Sequence, residues 1–189
     1  MKVIGINGSS HKDGNTAIII NTVFEELNNE GIDTELIQLA DIDIQPCRAC
    51  FACKGHGNCV FKGDGFCNVF SRMVEADGII LGSPVYSADV SSKMKAFLDR
   101  GGVVVATNPG LLRHKVGASV AAVRRAGGMT AIDTMNHFML NKEMIVVGST
   151  YWNMVYGKNV GDVFNDEEGM ANIHNLGQNM TSIMSKLNL

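Results

Sequence analysis

The sequence predicts a three-layer α/β/α fold, in which a doubly wound parallel sheet of five strands is covered by helices on both faces. Three observations predict it. Short apolar runs alternate along the chain with segments whose apolar residues recur at helical spacing. The run at 78–83 is almost unbroken, which suits a central strand buried on both faces. A turn rich in glycine and hydroxyl groups, 8–16, joins the first apolar run to the first helical segment.

The first part of the chain alternates strand and helix. Val3–Ile6 is the first strand, and the helix after it carries apolar residues at i, i+3, i+4 and i+7: Ile20, Val23, Phe24 and Leu27. Thr34–Leu39 alternates partly, as an edge strand does. From Asp41 to about Gly65 the pattern stops. A loop of this length in a compact domain is usually functional.

Regular structure resumes after this loop. Helices are predicted around Phe70, Met73 and Val74, from about Ser91 with Met94, Phe97 and Leu98 facing inward, around Met135, Phe138 and Met139, and from about Glu167. Strands are predicted over Gly78–Ser83, Val116–Val123 and Met144–Gly148. Pro84 is expected to end the pairing of the strand before it. Residues 101–115 match neither pattern.

The strand order that suits these elements is the flavodoxin-like order 2-1-3-4-5, because the glycine-rich turn follows the first strand. Residues 1–189 are then a single domain with a cysteine-rich insertion at about 41–65. In this topology ligands bind at the carboxyl ends of the strands, where the loops Asn7–Thr16, Pro84–Asp89 and Arg124–Gly128 meet.

Composition restricts the function classes. A net charge of −3 gives no basic footprint for nucleic acid. No apolar run approaches the ~20 residues of a membrane span, and no signal-peptide pattern is visible, so we expect a cytoplasmic protein. In a reducing compartment, the five cysteines favour metal binding or redox chemistry over structural disulfides.

The turn 8–16 has the features of a phosphate cradle. It leads into a helix N-terminus, whose free amides and positive dipole end attract anions. Four side chains add donors: Ser9, Ser10, Asn15 and Thr16. The turn is neither G-x-G-x-x-G nor a loop ending in GK[ST], so a single terminal phosphate suits it best. The alternative is an ordinary turn between strand and helix.

Cys47, Cys50, Cys53 and Cys59 form a compact C-x2-C-x2-C-x5-C pattern. Structural zinc sites usually consist of two C-x2-C pairs that lie a dozen or more residues apart. Three cysteines at consecutive x2 spacing are instead similar to the cluster-binding run of ferredoxins. Cys67 is expected to be a small residue at a helix start, and His56 a solvated loop residue.

Four segments together resemble the NAD(P)H-dependent FMN reductases and multimeric flavodoxins. They are GSSHKDGNT at 8–16, GSPVYSADVSSKMKAFLDR at 82–100, RRAGG at 124–128 and GSTYWN at 148–153. The cysteine pattern resembles that of the iron–sulfur flavoproteins within this superfamily, which hold FMN and a [4Fe–4S] cluster. Many relatives have an arginine where this chain has His11, which leaves open the charged partner of the phosphate.

The resemblance implies a set of cofactor residues. The FMN phosphate is expected at Ser9, Ser10, His11, Asn15 and Thr16. The flavin ring is expected at the second and third loops, beside Pro84, Val85, Tyr86, Ser87, Arg124 and Gly127. Backbone amides of 85–87 are expected to reach its pyrimidine edge. Arg124 and Arg125 are expected near its N1–O2 edge. The metal ligands are expected to be Cys47, Cys50, Cys53 and Cys59, on the flavin side of the sheet. No catalytic side chain is expected, because the flavin carries the chemistry.

These features predict an FMN-containing oxidoreductase that transfers electrons between a [4Fe–4S] cluster and FMN. The first alternative is an NAD(P)H-dependent FMN or quinone reductase without a cluster, and the second is a flavodoxin-like module with structural zinc. The expected partner is a redox donor such as ferredoxin or NAD(P)H.

We expect a homodimer or homotetramer, because residues 101–115 and 149–168 carry apolar residues that have no evident role in one core and are candidates for exposure, namely Val103–Val105 and Tyr151–Trp152. For Trp152, packing in the core and stacking at the site or at a second subunit remain open.

Overall fold

The computed structural model describes residues 1–187 and contains one layer of parallel strands between two layers of helices. The strands are β1 (Lys2–Asn7), β2 (Asp33–Gln38), β3 (Gly78–Pro84), β4 (Val116–Val123), β5 (Ile145–Val146) and β6 (Met154–Tyr156). The helices are α1 (Asn15–Asn29), α2 (Phe66–Glu75), α3 (Ser92–Thr107), α4 (Gly128–Leu140) and α5 (Glu167–Leu187). The sheet is parallel with the order β2-β1-β3-β4-β5, so the predicted flavodoxin-like topology is confirmed.

The fifth strand position is shared by two short strands, which the sequence did not indicate. β5 pairs with the start of β4 at Val116 and Gly117, whereas β6 pairs with its end at 121–123. The predicted single strand Met144–Gly148 is therefore wrong in its second half. The chain leaves the sheet after residue 147, where polar residues replace the apolar run, and it returns at Met154.

Two apolar cores lie on opposite faces of the sheet. One contains α1 and α5, including Ile20, Leu27, Ile173 and Met180. The other contains α2, α3 and α4, where the ring of Phe66 lies 5.3 Å from Phe70 and 5.5 Å from Phe97. Among residues 1–187, no helix is both long enough and apolar enough to cross a membrane.

One local expectation is wrong and another is confirmed. α3 continues through Thr107, and Val104 and Val105 on it are buried in the core rather than exposed. Pro84 ends β3 as expected: it is the last residue of the strand and pairs with Ala122. Proline is tolerated at this position since the ladder continues through the next amide, that of Val85, which donates to the Ala122 carbonyl at 3.1 Å.

Candidate functional site

The turn between β1 and α1 presents unpaired amides at a helix start. Helix α1 begins at Asn15, and among the described residues no side chain caps its first turn and no acidic residue lies in it. Its first three amides, of residues 15–17, therefore remain available to an anion. The buried Ser9 hydroxyl accepts a hydrogen bond from the His11 amide at 3.0 Å, which keeps its own proton free to donate.

A pair of amide side chains that the sequence analysis missed, one buried and one half-buried, holds this turn in shape. Asn7 donates to Gln38 at 2.6 Å and accepts from the Ser9 amide at 2.9 Å, while Gln38 donates to the Ser9 carbonyl at 2.7 Å. Asn7 and Gln38 are register partners at the ends of β1 and β2. A polar residue ending each of two adjacent strands is the signal that would have revealed them.

The side chain of Asn15 is already engaged. Its amide nitrogen donates to the Asn159 carbonyl at 2.8 Å, and its oxygen accepts from the Gly161 amide at 2.8 Å. Lys12 is also paired, with Asp41. The Asn15 side chain thus holds the loop 159–161 beside the turn, while its backbone amide remains unpaired at the helix start.

The loop after β3 forms a tight turn with strained backbone. Ser87 and Ala88 have φ values of 50° and 63°, in the left-handed region, and Tyr86 and Asp89 exchange backbone hydrogen bonds at 2.8 and 3.1 Å across them. Such conformations are costly for residues other than glycine, and they cluster at ligand sites. The amides of Val85 and Tyr86 are paired, so within residues 1–187 the unpaired donors of this turn are those of Ser87 and Ala88. Tyr86 itself is 44% exposed.

The loop after β4 touches this turn through Gly127, which caps α4 with a φ of 86°. A Cβ at Gly127 would lie 2.8 Å from the Ala88 Cα and 2.9 Å from a methyl group of Val85. Arg124 and Arg125 are exposed beside it. The structure therefore brings together the second and third loops that the sequence predicted to meet.

We expect Gly127→Ala to destabilise the protein more than Gly110→Ala. Both glycines have positive φ, but a Cβ at Gly110 meets nothing within 4 Å. Gly110→Ala therefore measures the conformational cost alone, about 1–2 kcal/mol, and Gly127→Ala adds the clash with the turn 86–89. Urea unfolding of both variants measures the difference. Equal losses of unfolding free energy in the two variants would show that the turn 86–89 moves to accommodate the added methyl group at no cost.

All four predicted cysteine ligands line one recess. Its walls are apolar, it contains about 410 Å³ of space free of protein atoms including its open mouth, and it is lined by Cys47, Cys50, Cys53, Cys59, Pro46, Arg48, Phe51, Val60, Phe61, Arg100, Val103 and Val104. The four thiols are free, and Ala49 and Phe51 between them have φ values of 49° and 55°. These left-handed residues turn the chain between successive cysteines.

The remaining predicted features of this loop agree with the structure. Cys67 lies outside the recess at the start of α2, where its thiol donates to the carbonyls of Cys59 and Phe61 at 3.2 and 3.3 Å. His56 is exposed. Among residues 1–187, no three His, Cys, Asp or Glu side chains are close enough to share one metal ion.

The cysteine loop extends along α3, away from the end of the sheet where the loops after β1, β3 and β4 lie. At the start of α3, Lys93 donates to the Leu39 carbonyl at 2.9 Å, and at its end Asn108 donates to the Cys53 carbonyl at 2.9 Å. A helix of 16 residues spans about 24 Å. The expectation that the cysteines lie on the flavin side of the sheet is therefore wrong, because contacts with the second half of α3 carry the loop toward the opposite end.

Arg100 and Asp64 form a buried ion pair beside the cysteines at 2.5 Å. Burial lowers the pKa of Arg100, but its hydrogen bonds to Asp64 and Cys59 outweigh burial and hold the pKa above its ordinary value. Burial raises the pKa of Asp64, but the hydrogen bond from Arg100 and two backbone amides hold it below its ordinary value. Both side chains are thus charged at neutral pH. The sequence analysis missed Arg100, although it follows Phe97 by three residues on the inward face of the helix.

Exposed aromatic side chains lie beside the loop that follows β4. Tyr151 and Trp152 are 65% and 53% exposed, so packing of Trp152 in the core is wrong. They line a recess of about 1060 Å³, including its open mouth, together with Gly127, Gly128 and Tyr156. This apolar surface lies at the end of the sheet where the three loops meet.

Comparison with known proteins gives consistent matches. Residues 1–159 match the family described as NADPH-dependent FMN reductase. An iron-sulfur flavoprotein of Methanocaldococcus jannaschii is 40% identical over 191 residues, covering 97% of each chain, and one of Methanosarcina thermophila is 35% identical over 150 residues, covering 78% of each chain.

Among solved structures, a flavone reductase has a TM-score of 0.74 at 18% identity, and the match covers 100% of this chain and 64% of that one. A flavodoxin from the domain Archaea has a TM-score of 0.64 at 17% identity, over 98% and 99%. These two likenesses concern the fold alone.

Proposed function

Because the chain belongs to the NADPH-dependent FMN reductase family of flavin-dependent oxidoreductases, we propose that it transfers electrons between a [4Fe–4S] cluster and FMN. The observation that carries the proposal is that four free cysteines line one recess, in a fold whose loops present unpaired amides at a separate site. The relatives that carry the name iron-sulfur flavoprotein support it. The redox donor is a carrier such as ferredoxin or NAD(P)H.

FMN would be held by the three loops. The amides of 15–17 and the hydroxyls of Ser9, Ser10 and Thr16 would receive the phosphate, with His11 beside them. The ring would lie beside Pro84–Ser87, Arg124 and Gly127, with the free amides of Ser87 and Ala88 at its polar edge. When bound, FMN supplies one- and two-electron redox chemistry, and hydrogen bonds from the protein set its potential.

The cluster would be held by Cys47, Cys50, Cys53 and Cys59. A [4Fe–4S] cluster places each thiolate on its own iron, so four cysteines that line one recess supply one ligand for each iron. Hydrogen bonds to these sulfurs are in place: the Ala49 amide donates to Cys47 at 3.4 Å, and the Arg100 Nε donates to Cys59 at 3.3 Å. When bound, the cluster supplies one-electron transfer. Because the recess lies beside the second half of α3, we propose that electrons pass to the FMN of a second subunit.

Anaerobic purification followed by a visible spectrum and by iron, sulfide and flavin assays tests this function. Brown protein with flavin, iron and sulfide supports it. Flavin without sulfide would contradict the cluster and favour the alternative, an NAD(P)H-dependent FMN or quinone reductase whose cysteines form a redox thiol loop. Zinc without sulfide or flavin would favour the structural-zinc module.

We expect the protein to be at least a homodimer, because Tyr151 and Trp152 expose adjoining rings 5.7 Å apart. Static light scattering at micromolar concentration measures the mass. Trp152 is the only tryptophan, so its emission in FMN-free protein should shift to longer wavelength as dilution separates the subunits. A monomeric mass at all concentrations would contradict the expectation.

A further inference from the structure

The guanidinium of Arg100 contacts the cysteine loop at four points. Its Nε donates to the Cys59 sulfur at 3.3 Å, one Nη donates to Asp64 at 2.5 Å and to the Gln45 carbonyl at 3.3 Å, and the other donates to the Phe61 carbonyl at 3.0 Å. The residue is 2% exposed. All four acceptors lie on the loop that carries the four thiols, between Gln45 and Asp64.

We propose that Arg100 is a positioning residue of the cysteine site, which fixes the Cys59 sulfur and raises the reduction potential of the group that this sulfur holds. The inference rests on the proposed function. An N–H donor and a positive charge beside a cluster sulfur stabilise the more negative, reduced form, and such hydrogen bonds are one of the features that set cluster potentials.

Two features make the contact strong and specific. The guanidinium lies 4.3 Å from the centre of the Phe66 ring and 5.3 Å from that of Phe61, so apolar rings rather than water surround it. Its planar fork of five donors serves several acceptors at once. A lysine ammonium is a single point charge on a flexible stem and cannot reproduce that geometry.

The test compares Arg100→Lys with Arg48→Lys. Arg48 lines the same recess and lies 4.2 Å from the Phe61 ring centre, but among the described residues it donates no hydrogen bond to a cysteine sulfur. Both variants keep the charge. We expect Arg100→Lys to have a more negative cluster potential in anaerobic redox titration and to lose iron to a chelator about 10–100-fold faster. Arg48→Lys, which removes no hydrogen bond to a cysteine sulfur, should change both measurements much less than Arg100→Lys does.

Asp64→Asn provides a second measurement, which also decides the case if Arg100→Lys fails to fold. It keeps the hydrogen bond from Arg100 to Cys59 but removes the neutralising carboxylate, so the cluster potential should become more positive. Arg100→Lys protein with the wild-type potential, or an unchanged or more negative potential in Asp64→Asn, would overturn the inference while the proposed function stands. Wild-type protein without iron and sulfide would instead overturn the proposed function, and this inference with it.

Discussion

Cys59→Ser is expected to lose the iron and sulfide of the anaerobically purified protein while keeping its FMN. The wild type should contain about four irons per chain, one for each thiolate of the quartet. A serine hydroxyl is a hard, protonated ligand that replaces a soft thiolate poorly. FMN should remain because the cysteine recess contacts the second half of α3, whereas the loops proposed to hold FMN lie at the other end of the sheet. Iron, sulfide and flavin assays on the same preparation measure both effects.

Cys67→Ser is the matched control, because it removes a thiol of the same loop region that does not line the recess. Cys67 donates to two backbone carbonyls, and a serine hydroxyl can donate to the same acceptors. This variant should therefore keep iron and sulfide at the wild-type level. Equal iron loss in both variants would mean that the loop responds to any cysteine change, and loss of FMN from Cys59→Ser would mean that the two sites are not separate.

The parts of the fold that local pattern determines could be predicted from the sequence. The apolar run Val116–Val123 has the bounds of β4, because a central parallel strand is apolar throughout. The stripe Ile20, Val23, Phe24 and Leu27 is buried on α1, because helical spacing places these residues on one face. The free amides at the start of α1 followed in the same way, since they need only a strand, a flexible turn and a helix start in succession.

The parts that depend on contacts between distant segments could not be predicted. The direction of the cysteine loop is set by Lys93 and Asn108, which lie more than fifty residues along the chain from the carbonyls that they hold. Arg100 is buried because Asp64, 36 residues earlier, neutralises it. The interruption of the fifth strand depends on where Met154 regains pairing with β4. Neither residue spacing nor apolar periodicity carries information about such pairings.

FMN should bind much more tightly than riboflavin, because the two ligands differ only in the phosphate and the cradle is built for an anion. Residues 15–17 present three helix-start amides, and within the described chain no acidic residue in that first turn repels the phosphate. Each charge-assisted hydrogen bond contributes ~1.5–3 kcal/mol. Flavin titration of the apoprotein, followed by fluorescence, measures both affinities.

Ser9→Ala should weaken FMN by roughly one to two orders of magnitude and leave riboflavin unchanged, because it removes one donor to the phosphate. Asn15→Ala should also weaken FMN, but through the loop 159–161 that its side chain holds, so we expect riboflavin affinity to fall with it. Ser185→Ala, exposed on α5, is the control that should change neither. Equal affinities of the wild type for FMN and riboflavin would contradict the cradle, and an equal loss of both ligands in Ser9→Ala would place the role of Ser9 in the shape of the turn instead.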